Sequence, residues 1–426
     1  MFAGLCRDLF SPTAAGGIGR ESSILQINRR SLGKTLRGGF FLSHYQNLAD
    51  FEHEWRELET HASLTPFQSF DWLNCWMNTV GSAKNSSPML IVISNERGAP
   101  VLVAPLSIER KGPFKALTWL GSEINDYNAP VLGPDDADYD RITEQFSELW
   151  EDVLGHLASL ENCKFDFVNF SKMPALVGTR KNPFTRLDNT LNASRAHMTA
   201  LPRSWDEMYA RRSSSTRSRD RSKLRRLGEF GEVKYYEPQT TMERLEVTNK
   251  LLQMKSVQLA DMGARNRFDA VNYRQFIQSA SGIENIIHVS ALKIGENIAA
   301  ANLGLMLNKC YYHFLMAYDQ GEVSKFGPGA AHLRELLQFA IRSGAETFDF
   351  TIGNESYKKD WCDTEMPLYD YRASQSGRGR IAVLGAQNFY RLKGWVKNNR
   401  QAWPMYLKFR SILGGLFGRK VSSTEN

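Results

Sequence analysis

FDFTIGNESYKKDW, residues 348–361, reads as a strand that runs straight into a loop dense in reactive groups. Phe348, Phe350 and Ile352 alternate with Asp349, Thr351 and Gly353 at the period of two expected of a strand, and helix-type spacing is absent. Glu355, Tyr357, Lys358 and Lys359 follow just past its carboxyl end, where open α/β sheets present ligands. Upstream, a Gly-Pro-Gly turn at Gly327 to Gly329 opens a periodic helix with Leu333, Leu336, Leu337, Ala340 and Ile341 on one face and Gly344 as its stop. Such a turn leaves the first backbone N–H groups of the helix facing any anion, with the helix dipole adding to the attraction. The residues Lys325, Phe326, Gly327, Pro328, Gly329 and Ala330 are therefore candidates for holding a pyrophosphate, against the plainer reading of an ordinary glycine-rich turn.

Before the turn, VSALKIGENIAAANLGLMLNKCYYHFLMAYD reads as paired strands with turns at Ile294–Asn297 and Leu307–Cys310. Strand, strand, phosphate-type turn, helix, strand is the central order of the GNAT acyltransferase fold. The stretch from about Arg211 to Arg372 resembles the acetyltransferase domain of bacterial exopolysaccharide and cellulose biosynthesis proteins, a relative of the Fem-type aminoacyl transferases. The resemblance rests on the Pro328-Gly329 turn, Phe348-Asp349-Phe350, Gly353, Glu355, Tyr357-Lys358 and Trp361, and TPFQSFDWLNCWMNTVG, residues 65–81, is similar to the family's opening motif. It implies an α/β (α+β) chain of tandem GNAT-like domains, each a mixed central sheet flanked by helices. It also implies acetyl-CoA or another acyl-CoA as donor, no metal, and a sugar, lipid or peptidoglycan precursor as acceptor. One position departs from the pattern: GNAT enzymes carry Arg or Gln three residues before the first glycine of the loop, and here Ser324 stands there. An acyl carrier protein or an aminoacyl-tRNA therefore stays open as donor.

A length of 426 residues exceeds what one core usually supports, and 42% hydrophobic with 23% charged residues is the composition of a globular protein. No run approaches the length of a membrane helix, and Arg7 and Asp8 interrupt the only apolar stretch of the amino terminus, so a cytoplasmic location is expected. Five cysteines, widely spaced and without a CxxC pair, argue against a disulfide framework or a zinc site.

Residues 1–40 read as a flexible leader, 41–200 as a degenerate GNAT-like domain, 201–375 as the acyltransferase domain, and 376–426 as a basic aromatic tail. KFDFVNF, residues 164–170, echoes FDFTIG, which suggests a duplication, but the first copy lacks the Gly-Pro-Gly turn and the Glu-Tyr-Lys loop and is expected to have no site of its own. From Ser376 onward there are ten Lys or Arg residues and one acidic residue, so the net charge of +7 belongs to the tail. That segment fits either a packed helix or a peripheral contact with an anionic membrane. RRSSSTRSRDRSKLRRLG, residues 211–228, reads as a solvated basic helix with Leu224 and Leu227 inward, or as a surface for a phosphorylated donor or acceptor; nucleic acid is the least favoured partner.

Acyl transfer to an amine needs a base for the nucleophile and an acid for the departing thiolate. Glu355 as base and Tyr357 as acid are two residues apart, so on extended backbone they share a side. Asp349 is a third catalytic candidate, with backbone anchoring as its competing role. By resemblance, Lys358, Trp361, Gly353 and Arg265 are the acceptor-binding candidates, Arg265 because the loop Asp261–Arg265 borders the acceptor in GNAT-like folds. Two further readings keep the fold: transfer to a long-chain amine, or a non-catalytic assembly protein for a polysaccharide synthase.

Overall fold

The computed structural model describes residues 33–386 apart from Arg265 and Asn354. Two runs of alternating or continuous apolar residues form the same succession of elements in each half. In the first half, β1 (Phe41–Tyr45) leads through α1 (Glu52–Glu59) and α2 (Phe70–Trp76) to the antiparallel strands β2 (Ser87–Ser94), β3 (Pro100–Lys111) and β4 (Phe114–Trp119). Helices α3 (Asp136–Glu144) and α4 (Phe146–Ser159) then cross over to β5 (Phe167–Pro174), which runs parallel to β4, and β6 (Asn189–Ala200) closes the half. The second half, after α5 (Trp205–Ala210) and α6 (Ser214–Gly228), repeats this with β7 (Val233–Tyr236), α7 (Thr241–Asp261), α8 (Val271–Ala280), and strands β8 (Ile287–Ile294), β9 (Asn297–Leu307) and β10 (Cys310–Tyr318). Helix α9 (Pro328–Arg342) crosses to β11 (Thr347–Ile352), parallel to β10, and β12 (Thr364–Ser374) closes it.

One mixed sheet joins the halves, in the order β1-β2-β3-β4-β5-β12-β6-β11-β10-β9-β8-β7. The closing strands are exchanged: β6 pairs with β11 of the second half, and β12 pairs with β5 of the first. Sequence places the division between halves after Ala200, yet the hydrogen bonds of β6 go to residues 347–371. Residues 34–40, read from sequence as leader, also join the fold, since Lys34 and Thr35 pair with β1 and Leu36 and Phe40 are buried. The rest of the leader, and the tail from residue 387, lie outside the described residues.

The two Phe-Asp-Phe triplets sit in equivalent strands but in different registers. Each parallel strand follows a hairpin closed by a two-residue turn, between Lys111 and Phe114 in one half and between Leu307 and Cys310 in the other. Ala116 lies opposite Phe167, whereas Cys310 lies opposite Thr347, so the triplets are displaced by one residue relative to these turns. A one-residue displacement moves a side chain to the opposite face of a sheet. Asp166 consequently sits at the strand's entrance, bonded to the Lys115 amide and the Ser376 hydroxyl, while Asp349 is buried.

Helix ends follow local chemistry. Thr240 and Glu243 form a reciprocal capping box at α7, and Gly327 takes a left-handed conformation (φ 68°) that turns the chain into α9. One expectation is corrected. Leu224 is 41% exposed because α6 meets its neighbours along Asp220, Lys223 and Leu227. Ser69 precedes α2 without capping it, its hydroxyl instead donating to the Pro66 carbonyl.

The largest core cluster belongs to both halves. Trp72 of α2 lies edge-on to Phe276 of α8 at 4.8 Å and to Phe314 of β10 at 5.4 Å, with Phe67 against Phe314 and Tyr312. The shared strands and this aromatic seam predict that residues 33–200 and 201–426, expressed separately, fail to give cooperative melts, and that co-expression restores one. Calorimetry of each fragment is the check; a fragment melting cooperatively at the full-length temperature would refute it.

Candidate active site

The site begins where β10 and β11 part. Their parallel pairing runs only from Cys310 opposite Thr347 to Tyr312 opposite Asp349, although β10 continues to Tyr318. Beyond Tyr312, β10 carries a bulge: Leu315 pairs with Leu303 and Tyr312 with Leu305, so His313 and Phe314 face a single residue, Gly304. A bulge leaves ladder groups unpaired and re-aims side chains, here at the mouth of the gap. The carbonyls of β10 and β11 along the gap are capped by side chains. Lys255 of α7 donates to the Met316 carbonyl at 3.1 Å, and Lys358 donates to the Ile352 carbonyl at 2.9 Å. The Thr351 hydroxyl donates to the His313 carbonyl at 3.4 Å.

On one face of the gap stands the start of α9. A Cβ on Gly329 would come within 2.8 Å of the Tyr318 ring and 3.2 Å of the Met316 methyl, so the missing side chain lets α9 seat directly on β10. Lys325 and Ala330 are exposed and Phe326 and Gly327 half-buried at this turn, whereas Pro328 and Gly329 are buried. Helix α6 brings further cations to it. The Lys223 ammonium lies 3.8 Å from where a Gly327 Cβ would stand, and the Arg226 guanidinium lies over the Phe326 ring at 5.7 Å. The basic helix is thus a wall of the turn.

On the opposite face, Asp349 and Thr351 look toward the first half. The Tyr127 hydroxyl lies 2.8 and 3.0 Å from the two Asp349 oxygens, and the Thr351 amide donates to Asp349 Oδ1 at 2.7 Å. Thr351 holds a positive φ of 58°, a strained conformation for a β-branched residue. Burial pushes the Asp349 carboxyl up to about 7 despite the Tyr127 and Thr351 hydrogen bonds. Asp126, beside Tyr127, interacts with the Thr351 hydroxyl; burial raises it to about 6 against the opposing pull of Lys172 and Lys358. Lys172 of β5, also at positive φ (57°), donates to the Asn125 carbonyl and is lowered by burial to about 8. Burial likewise lowers Lys255. Carboxylates and amines of displaced pKa therefore converge from both halves on the end of β11.

Sequence reasoning placed the remaining candidates differently. Glu355 and Tyr357 do not share one extended segment, because Glu355 is extended whereas Ser356–Asp360 coil into a 3₁₀ turn. Glu355 is exposed and pairs with Lys358 at 3.0 Å; Tyr357 turns to the α9 face against Phe350, where burial raises its hydroxyl. Lys358 is buried and internally bonded, not presented to solvent. Gly353 (φ 134°) admits the Glu355 carboxylate where a Cβ would stand. Trp361 lies beneath the Arg212 guanidinium at 4.1 Å and beside Trp205, so its face is already occupied. Arg265 is outside the described residues. Cys362 has its thiol raised to about 12 by burial, which keeps it protonated.

The first half was read as having no site of its own, yet Asp126, Tyr127 and Lys172 all come from it. The signal for them is slight: NDYN, residues 125–128, packs four polar residues between apolar runs, and only the fold shows that Asn125, Tyr127 and Asn128 are buried and Asp126 half-buried. Among the described residues no cluster of His, Cys, Asp or Glu could hold a metal ion, and no helix is long and apolar enough to cross a membrane.

Residues 214–359 match the family model described as Acetyltransferase (GNAT) domain. The match lies within the second half and spans about a third of the chain. The structure of FemX superposes with a TM-score of 0.52 at 11% identity, covering 76% of this chain and 96% of that one, which makes the likeness one of fold. L-PGS from Bacillus licheniformis is similar at a TM-score of 0.47 with 12% identity, over 80% of this chain and 96% of its own. A tandem GNAT protein of the clavulanic acid biosynthesis pathway aligns at 0.43 with 10% identity, over 79% and 99%. No curated protein matches the sequence.

The Asp349 environment gives a pH signature. Its folded pKa stands above the ordinary 3.8, so between about 4 and 7 the folded chain binds more protons than the unfolded one. Its contribution to stability is complete below this window and is lost as pH rises through about 7. Asp349→Asn keeps an oxygen for Tyr127 and Thr351 but cannot ionise. Urea midpoints measured across this range should fall less steeply with pH in the variant than in wild type; parallel curves would mean that Asp349 is ionised throughout.

Proposed function

We propose that the chain transfers an acyl group from a thioester bound at the α9 turn to an amine or hydroxyl that enters between the halves. The observation that carries this reading is the gap between β10 and β11, with a helix amino terminus and three cations on one face and the Asp126–Lys172–Lys358 cluster on the other. The pyrophosphate of an acyl-CoA would lie against the amides of Gly329 and Ala330, with Lys223 and Lys325 beside it. The acyl carbonyl would then reach the bulge at His313 and Phe314, where an unpaired backbone N–H can polarise it.

Asp126 is the group best suited to accept the proton of the incoming nucleophile. It is raised to about 6 and half-exposed, so it is largely ionised at neutral pH. Lys172 and Lys358 favour its charged form. Tyr357, on the donor face and kept protonated by burial, is placed to donate to the departing thiolate. Glu355 has a positioning role in this scheme, holding Lys358 across the end of β11. Asp349, raised to about 7 and so only partly ionised at neutral pH, locks Tyr127 and the strained Thr351 in place.

The acceptor would be a sugar, lipid or peptidoglycan precursor of the cell envelope, with exopolysaccharide assembly as the setting. That setting rests on the resemblance of Phe348–Trp361 and the Pro328-Gly329 turn to the exopolysaccharide and cellulose biosynthesis proteins. A cytoplasmic site for the reaction accords with a donor made there.

Two variants test the reading separately. Gly329→Val would drive a branched side chain into Tyr318 and across the free amides, and calorimetric titration should show loss of acyl-CoA binding, while Lys223→Ala should weaken it about tenfold. Wild-type affinity in both would move the donor elsewhere, and no binding by the wild type would favour a carrier protein, a tRNA or the assembly role. Asp126→Asn should lower turnover by about 10²-fold or more with donor affinity kept, and should abolish the fall in rate expected of the wild type below about pH 6. Thiol release against a panel of amino sugars and envelope precursors is the readout; an unchanged acid limb in the variant would clear Asp126 of the role.

A further inference from the structure

A second charged site lies in the first half, at the entrance of β5 and far along the chain from the loop that follows β11. Arg110 of β3 and Lys115 of β4 are direct cross-strand partners and both are exposed. Like charges directly opposite on antiparallel strands repel, so this pair costs stability unless something anionic lies over it. Two more cations converge there, and Arg110, Lys115, Lys164 and Arg378 line one cleft of about 610 Å³. Its one carboxylate, Asp166, offsets only part of the charge of these four cations and forms no ion pair with any of them. Its oxygens are taken by the Lys115 amide at 2.9 Å and the Ser376 hydroxyl at 3.0 Å. Arg378 donates to the Pro113 carbonyl, and among the described residues no carboxylate pairs with Arg110, Lys115 or Lys164.

The same place is where the chain passes into its basic segment. A helix begins at Gly377, and on it Ile381 and Leu384, one turn apart, are 68% and 60% exposed beside Arg378 and Arg380. Beyond it the sequence continues with Arg391, Lys393, Trp395, Lys397, Arg400 and Trp403. A soluble phosphate would account for the cations but not for the bare apolar pair next to them. An interface of anionic headgroups above acyl chains accounts for both.

We propose that this cleft binds the phosphate of an anionic lipid headgroup and seats the chain on a membrane surface. Arg110, Lys115 and Lys164 meet the phosphate, and Ile381 and Leu384 enter the boundary of the acyl region. The proposal does not depend on the acyl-transfer reading, since the cleft is built from the first half and the start of the last helix and shares no residue with the α9 turn or the end of β11.

The test uses the full chain and sedimentation with phosphatidylcholine vesicles, with and without phosphatidylglycerol. Binding is expected only to the anionic vesicles and should weaken with salt. The double variant R110S/K164S should lose about tenfold or more of that binding. Its melting temperature should hold or rise, because a repulsive pair is removed; a merely structural role for Arg110 predicts a fall. I381S/L384S should weaken binding without changing its salt dependence. Unchanged binding by R110S/K164S would overturn the proposal and assign the membrane contact to residues 387–426. Calorimetric binding of inorganic phosphate by a wild-type chain that ignores anionic vesicles would overturn the lipid assignment as well.

Discussion

Asp349 sits at the seam of two halves, its carboxyl oxygens 2.8 and 3.0 Å from the hydroxyl of Tyr127, a residue 222 positions earlier in the chain. The pair is buried on all sides, so neither group can turn to water if the other moves. A buried polar group left without its partner costs roughly 1–3 kcal/mol, and Asp349 holds two donors at once. Thr351, bonded through its amide to the same carboxyl, is kept at positive φ, and the backbone leaving β11 is aimed by that strain. Lys358 then finds the carbonyls at the strand's end, and Glu355 finds Lys358. The loop richest in chemistry is thus set by a contact that the loop itself does not make.

The exchange of closing strands explains why the contact is dependable. Were each half a separate body joined by a linker, the loop at Asp126 and the end of β11 could separate with any hinge motion. Here β6 is hydrogen-bonded on one side to β11 and on the other to β12, and β12 in turn to β5. The sheet passes unbroken through the seam. The aromatic seam of Trp72, Phe67, Phe276 and Phe314 fastens the same boundary from one face. Residues drawn from both halves can therefore be held at hydrogen-bond distances, as a catalytic arrangement requires.

Much of the fold could be read from local pattern, and much of the site could not. Alternation in Phe348–Ile352 and the apolar stripe of α9 are consequences of a few neighbouring residues, and both stand where periodicity puts them. The turn at Gly327 was legible for the same reason. Strand exchange leaves no local trace, because β6 would show the same alternation whichever partner it met. Asp126 and Lys172 look like ordinary loop and strand residues until the sheet brings β11 against them. The two Phe-Asp-Phe triplets show the opposite hazard. They are identical in letters, but one step of register puts one aspartate at the strand's entrance and the other in the interior.

Register also bears on how one half came to hold the reactive loop while the other lends residues to it. At the entrance of β5, Asp166 spends its oxygens on the Lys115 amide and the Ser376 hydroxyl, fastening β4 to the start of the last helix. In β11 the corresponding aspartate lies one step deeper and reaches across the seam to Tyr127. The first is solvated and its pKa is lowered by the backbone hydrogen bond it accepts; the second is desolvated and its pKa is raised. One side chain type in one kind of strand thus serves as an ordinary anchor or as a near-neutral buried acid, and the difference is the single residue by which the parallel strand is set against its neighbour.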